Sequence, residues 1–273
     1  YVHPYNQAVQ TPADAGSSDI PLHVALGEGD FYDVVSVASA EVDSTAVYYK
    51  FLNSGFRLAA TGGTDNFSDV WYDPSGGTAR TYARVGKSAS ELDLDEYLMA
   101  VRNGRTFATN GPLLFLELDG RQPGDEIRLS SRDASRLRAT VRVRSIVPLD
   151  RIEIIVNGEV ARHWATAGED TRRAFRTSVD LPLGGWVTAR AMGPSSRYVG
   201  DAFAFAQTSP VYVVRDGVTW INEDDVRFLA DAVTELWRSV EARNTWQTAA
   251  QKDAYRDGIE RALAVYRERI ESQ

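Results

Sequence analysis

The sequence predicts an α/β segment, then a β-sandwich, then a C-terminal helical hairpin. Three observations predict it. Residues 33–65 read as strand, helix and glycine-ended strand; residues 111–207 carry short strands separated by turn residues; two long amphipathic stripes follow residue 222. With 273 residues, 43% hydrophobic and 25% charged, the chain has ordinary globular composition and enough length for one or two domains.

Asp33-Val34-Val35-Ser36-Val37-Ala38 is a β-branched run of the kind buried in parallel sheets. Ser44 is placed to cap a helix from Thr45 to Asn53, in which Val47 and Phe51 fall four apart, and Gly55 follows as a stop. Phe56-Arg57-Leu58-Ala59-Ala60-Thr61 reads as the next strand and runs into Gly62-Gly63-Thr64-Asp65. A further helix is expected over Ser90–Asn103, with Leu94, Leu98 and Val101 on one stripe.

In the middle zone, Arg136 to Arg144 alternates polar and apolar residues, which is a strand with one dry and one wet face. Residues 151–156 and 159–164 flank Asn157-Gly158, a type I′ hairpin signal. Strands are also expected at 113–118, 175–181, 186–192 and 202–206, and together they argue for a sandwich. In the last zone Asn222 caps a helix over 223–242 carrying Val226, Leu229, Val233, Leu236, Trp237 and Val240. A second helix, 247–270, repeats the stripe with Tyr255, Ile259, Leu263, Tyr266 and Ile270. The expected division is therefore 1–110, 111–207 and 208–273.

Charge narrows the partners. The net charge is −8, which disfavours nucleic acid and anionic membranes. The acid excess sits in residues 1–110, which carry 7 basic and 14 acidic residues, where a cation site would profit from it. No apolar run approaches the 18 residues of a membrane span. The absence of cysteine removes disulfides, thiolate metal sites and a cysteine nucleophile, and leaves the compartment open between cytoplasm and export. The chain opens on Tyr1-Val2-His3-Pro4-Tyr5, which reads like the interior of a fold, so a fragment or processed chain is expected.

Few residues carry chemistry. Of three histidines, His163 belongs to the hairpin and His23 to a loop or helix start; His3 stands where a strand gives way to a loop. Asp65 follows two glycines directly after a strand, a pattern that brings a carboxylate to the C-terminal edge of a sheet, where α/β folds assemble active sites. The segment Arg105-Thr106-Phe107-Ala108-Thr109-Asn110-Gly111-Pro112 is dense in polar groups and reads either as a domain junction or as site-forming.

At these same residues the sequence resembles the PHP-domain metallohydrolases, in the carbaryl hydrolase branch. The segments that carry the resemblance are His3-Pro4-Tyr5, Leu52-Asn53-Ser54-Gly55-Phe56-Arg57, Gly62-Gly63-Thr64-Asp65, and above all Gly104 to Pro112, continuing through residues 144–148 and 208–213. The resemblance implies part of a distorted β/α barrel in 1–110, holding in the complete protein two or three divalent cations (Zn, Mn or Fe). His3 and Asp65 match metal-binding positions of the family. The implied activity is hydrolysis of an ester-like bond, in a small-molecule phosphoester, carbamate or carboxylic ester. Asn53, Arg105, Thr109 and Asn110 are expected, by location alone, to support the metal ligands or to contact substrate.

Two departures stand out. Asp65-Asn66-Phe67 lacks the second histidine common in the family, and the early His-x-His has no counterpart in this sequence. A catalytic zinc takes three protein ligands, so the chain is expected to hold half a site and to need an N-terminal segment of the same protein as its partner. The alternative expectation is a catalytically inactive relative that binds through its β-sandwich.

Overall fold

The structure is a computed structural model that describes residues 5, 8–36, 41–66, 75–166 and 172–271. Two short helices, α1 (Pro12–Ala15) and α2 (Ile20–Ala25), lead into strand β1 (Phe31–Ser36). Thr11 and Asp14 close a capping box at the start of α1. Helix α3 (Glu41–Asn53) connects β1 to β2 (Ala59–Gly63), and the two strands pair in parallel. This is the strand–helix–strand unit expected from the sequence, with two shifts. The helix begins three residues before the expected Ser44 cap: Ser44 is fully buried inside it, and its carbonyl accepts from the Tyr32 hydroxyl at 3.0 Å. The second strand is displaced toward Gly63, because Gly55 in the left-handed region (φ 78°) ends α3 and residues 56–58 are spent turning the chain.

The chain then builds β3 (Arg80–Ala83), helix α4 (Leu94–Arg102), β4 (Thr106–Thr109), β5 (Leu113–Leu118), β6 (Glu126–Leu129) and β7 (Arg136–Arg144). Next come β8 (Arg151–Val156), β9 (Glu159–Ala165), β10 (Arg172–Asp180), β11 (Gly185–Gly193), β12 (Ala204–Thr208) and β13 (Val211–Arg215). The Asn157-Gly158 hairpin forms as expected, with both residues at positive φ. Helices α5 (Glu223–Arg243) and α6 (Ala249–Glu271) complete the chain, and the Asn222 side chain caps α5 through the backbone N–H groups of Asp224 and Asp225.

An eight-stranded sheet, ordered β3-β4-β12-β11-β13-β6 with β8 and β9 joined beyond β11, forms the middle layer. On one face it meets the three-stranded sheet β10-β7-β5, giving a sandwich core that includes Leu114, Val141, Ile152, Val187 and Val213. On its other face Ile155, Trp186 and Phe205 join a second core with β1, α3, α5 and α6. Strand alternation explains both: along β11, Val187, Ala189 and Ala191 face the sandwich, while Trp186 packs with the helices.

This sheet crosses the divisions expected at 110 and 207, since β3 and β4 precede the first and β13 follows the second. The C-terminal helices do pack as a hairpin, burying Val226, Leu229, Val233, Leu236, Ile259 and Tyr266. Helix α4 departs from expectation: Leu94 and Leu98 are 68% and 52% exposed, and only Ala100 is buried. Among the described residues, no helix is long and apolar enough to cross a membrane.

Candidate functional site

The parallel pair β1–β2 fixes a C-terminal edge, and the residues there are acidic and mostly buried. Asp33 lies within β1 at 3% exposure; it accepts from the Thr61 hydroxyl, and its Oδ2 lies 3.3 Å from where a Cβ on Gly63 would stand. A larger residue at 63 would crowd that carboxylate. Thr64 is tied to β3 by donating to the Ala79 carbonyl at 2.9 Å. Asp65 follows at φ 52°, exposed, two residues beyond the end of β2.

Helix α3 returns antiparallel to β1, so its first residue, Glu41, lies at this same edge. Glu41 is 3% exposed, and burial pushes its carboxyl up to about 8, with the neighbouring Asp201 carboxylate adding to the rise. Its Oε1 is buried without a hydrogen-bond partner among the described residues. Asp201 in turn is held by Asn110, whose Nδ2 donates to Asp201 Oδ2 at 3.1 Å and to the Phe203 carbonyl at 2.8 Å. Asn110 Oδ1 accepts from the Phe205 N–H at 2.7 Å. Thr109, fully buried, donates to the Phe205 carbonyl and pairs in register with Arg80, next to the Ala79 that binds Thr64. Three expected positions, Asp65, Thr109 and Asn110, therefore gather at one edge.

The others do not join them. Asn53 ends α3 at the opposite edge, where its Oδ1 accepts from the Trp186 indole N–H at 2.9 Å and its Nδ2 donates to Asp225 at 2.8 Å. Both ends of this amide are engaged in joining α3, β11 and α5. Arg105 precedes β4, whose Thr106 hydroxyl donates to the carbonyl of Ala60 near the start of β2, so it too belongs to the opposite edge. His3 lies outside the described residues. His23, in α2, contacts Glu28 and Asp19 at 2.5 and 3.3 Å, and His163 is an exposed residue of β9.

Asp33, Glu41 and Asp201 were not singled out from sequence. Asp33 had a signal, an acid in a strand that is otherwise apolar up to its final Ser36. Glu41 and Asp201 had none, being 160 positions apart. Carboxylate oxygens with an orphaned buried Oε1 suit a hard divalent cation in chemistry. In number they fall short: among the described residues no three histidine, aspartate or glutamate side chains converge on one point.

A second concavity, about 350 Å³, lies at the Arg105 end, where β5 crosses β3 and β4. Its walls are aromatic. Tyr82 and Phe107 stack with ring centroids 4.9 Å apart and 8° between planes, and Phe115 meets Phe107 edge-on at 5.5 Å.

No protein-family model and no curated protein matches the chain. Among solved structures it is similar to the CARDB domain of a Pyrococcus furiosus protein, determined by NMR. That likeness has 16% identity and covers 38% of this chain and 96% of that domain, at a TM-score of 0.25.

Proposed function

We propose that the chain is the later part of a PHP-type metal-dependent hydrolase acting on an ester-like bond, and that its acidic edge is the part of the active site it contributes. The observation that carries this reading is the placement of Asp65. It lies two residues beyond a parallel strand that ends on two glycines, at the edge where Asp33, Glu41 and Asp201 also lie. His3 and Asp65 are the metal ligands in this reading, and the remaining ligands come from the complete protein. A bound divalent cation would lower the pKa of a water toward neutrality and polarise the scissile bond. This chain's own residues do three things there. Asp65 offers an exposed carboxylate. Asn110 fixes Asp201 in place. The Thr61 hydroxyl orients Asp33.

The test is metal content by inductively coupled plasma mass spectrometry, on this chain, its Asp65→Ala variant and the protein of the full coding sequence, with p-nitrophenyl ester and phosphoester hydrolysis assayed beside it. Near-stoichiometric Zn, Mn or Fe in the full protein, lost with Asp65→Ala, is expected. Metal absent from all three after reloading overturns the reading. The second reading, a binding module working through its β-sandwich, is favoured by the aromatic cleft at β3, β4 and β5.

A further inference from the structure

The cleft at the Arg105 end differs in chemistry from the acidic edge and owes nothing to the hydrolase reading. Its volume, about 350 Å³, is in the range of small-molecule sites, and it lies at edge strands of both sheets: among the described residues β3 is the last strand of the large sheet and β5 of the small one. Leu114, buried in the sandwich core, contributes to its lining and cannot move without disturbing that core. Tyr82 and Phe115 remain 40% and 38% exposed, so aromatic surface stands in water on the cleft wall.

Three guanidinium groups line the same cleft, on a protein whose net charge is −8. Arg84 pairs with Asp125 at 3.2 Å, and Arg142 sits 3.7 Å from Glu117. Arg105 has no side-chain ion pair or hydrogen bond to any described residue. It is a planar cation with five donors beside a stacked aromatic pair. The ligand that complements this set has one carboxylate for Arg105 and a flat apolar body for Tyr82, Phe107 and Phe115.

We propose that this cleft binds a small aromatic carboxylate, with the Arg105 guanidinium taking the carboxylate and the aromatic wall taking the ring system. The body gains by covering exposed ring surface, and the head gains a charge-assisted, bidentate hydrogen bond. Of the three arginines Arg105 sets the preference for an anion, since the other two already have acidic neighbours.

Isothermal titration calorimetry of this chain with 2-naphthoate and with the uncharged 2-naphthamide tests the proposal. 2-Naphthoate should bind at least tenfold more tightly than the amide, and more weakly as salt rises. Arg105→Gln should cost the acid about tenfold or more and leave the amide unchanged, because only the acid uses the charge. Tyr82→Ser should weaken both. The proposal is overturned if the unaltered chain binds neither compound, if it binds the amide as tightly as the acid, or if Arg105→Gln leaves 2-naphthoate affinity unchanged. Arg105 is exposed and its side chain has no partner among the described residues, so its variant keeps the fold and the comparison holds.

Discussion

Strand β4 has two ends of opposite character. Before its first residue stands Arg105, exposed and with no side-chain partner among the described residues, beside stacked aromatic rings; after its last stands Asn110, buried and bonded to three groups at an acidic edge. In sequence the two are five positions apart within a single polar stretch. An extended strand rises about 3.3 Å per residue, which sets them roughly 16 Å apart. A motif contiguous in sequence therefore serves two places: one end locks a carboxylate, and the other presents a cation.

The largest effect that would break this contrast is at the acidic end. Asn110→Ala removes the acceptor of the Phe205 N–H and the donors to Phe203 and Asp201, all at a residue only 3% exposed. Leaving such groups unmade costs about 1–3 kcal/mol each when buried, and a net loss of about 2–3 kcal/mol is expected after relaxation. Urea unfolding measures it through the transition midpoint. A loss under about 0.5 kcal/mol would mean that Asn110 is not what ties β4 to β12.

Next in size is a pH dependence at the acidic end. Glu41 is an acid whose folded pKa, about 8, lies above its ordinary 4.5. Between those values the folded protein keeps a proton that the unfolded chain has lost. Its contribution to stability is full below pH 4.5, falls as pH rises, and is gone above pH 8. The slope is at most about 1.4 kcal/mol per pH unit. In metal-free protein, Glu41→Gln should flatten the denaturation midpoint across this window and stabilise the protein at pH 8 and above. An unchanged pH profile in the variant would show that Glu41 ionises freely in the fold.

How much of this was readable beforehand follows from distance along the chain. Strand β7 was legible because its nine residues alternate between faces without interruption, and the structure buries Leu137, Ala139, Val141 and Val143 accordingly. Strand β4 was not: Thr106-Phe107-Ala108-Thr109 is too short and polar to show a period, and its pairing with β12 joins residues about a hundred positions apart. Helix α4 shows the limit of periodicity itself, since a stripe reports which residues share a face and not whether anything covers it. In the candidate site, Asp65 announced itself through the preceding glycines. The Glu41–Asp201–Asn110 chain did not, because its members come from α3, the β11–β12 loop and the end of β4. Asn53, a candidate by location alone, holds Trp186 and Asp225.

The smallest expected effect sharpens the comparison most. Arg105→Gln should change unfolding stability by no more than about 0.5 kcal/mol, because the side chain is exposed and contributes no ion pair among the described residues. Five positions from a residue whose truncation costs about 2–3 kcal/mol, a neutral substitution would separate the two ends of β4 by role as well as by place. The same variant carries the loss of 2-naphthoate affinity, so stability and binding must move independently at this position. A destabilisation above about 1 kcal/mol would instead make Arg105 part of the framework. The cleft would then have no free cation, and both ends of the strand would be doing the same structural job.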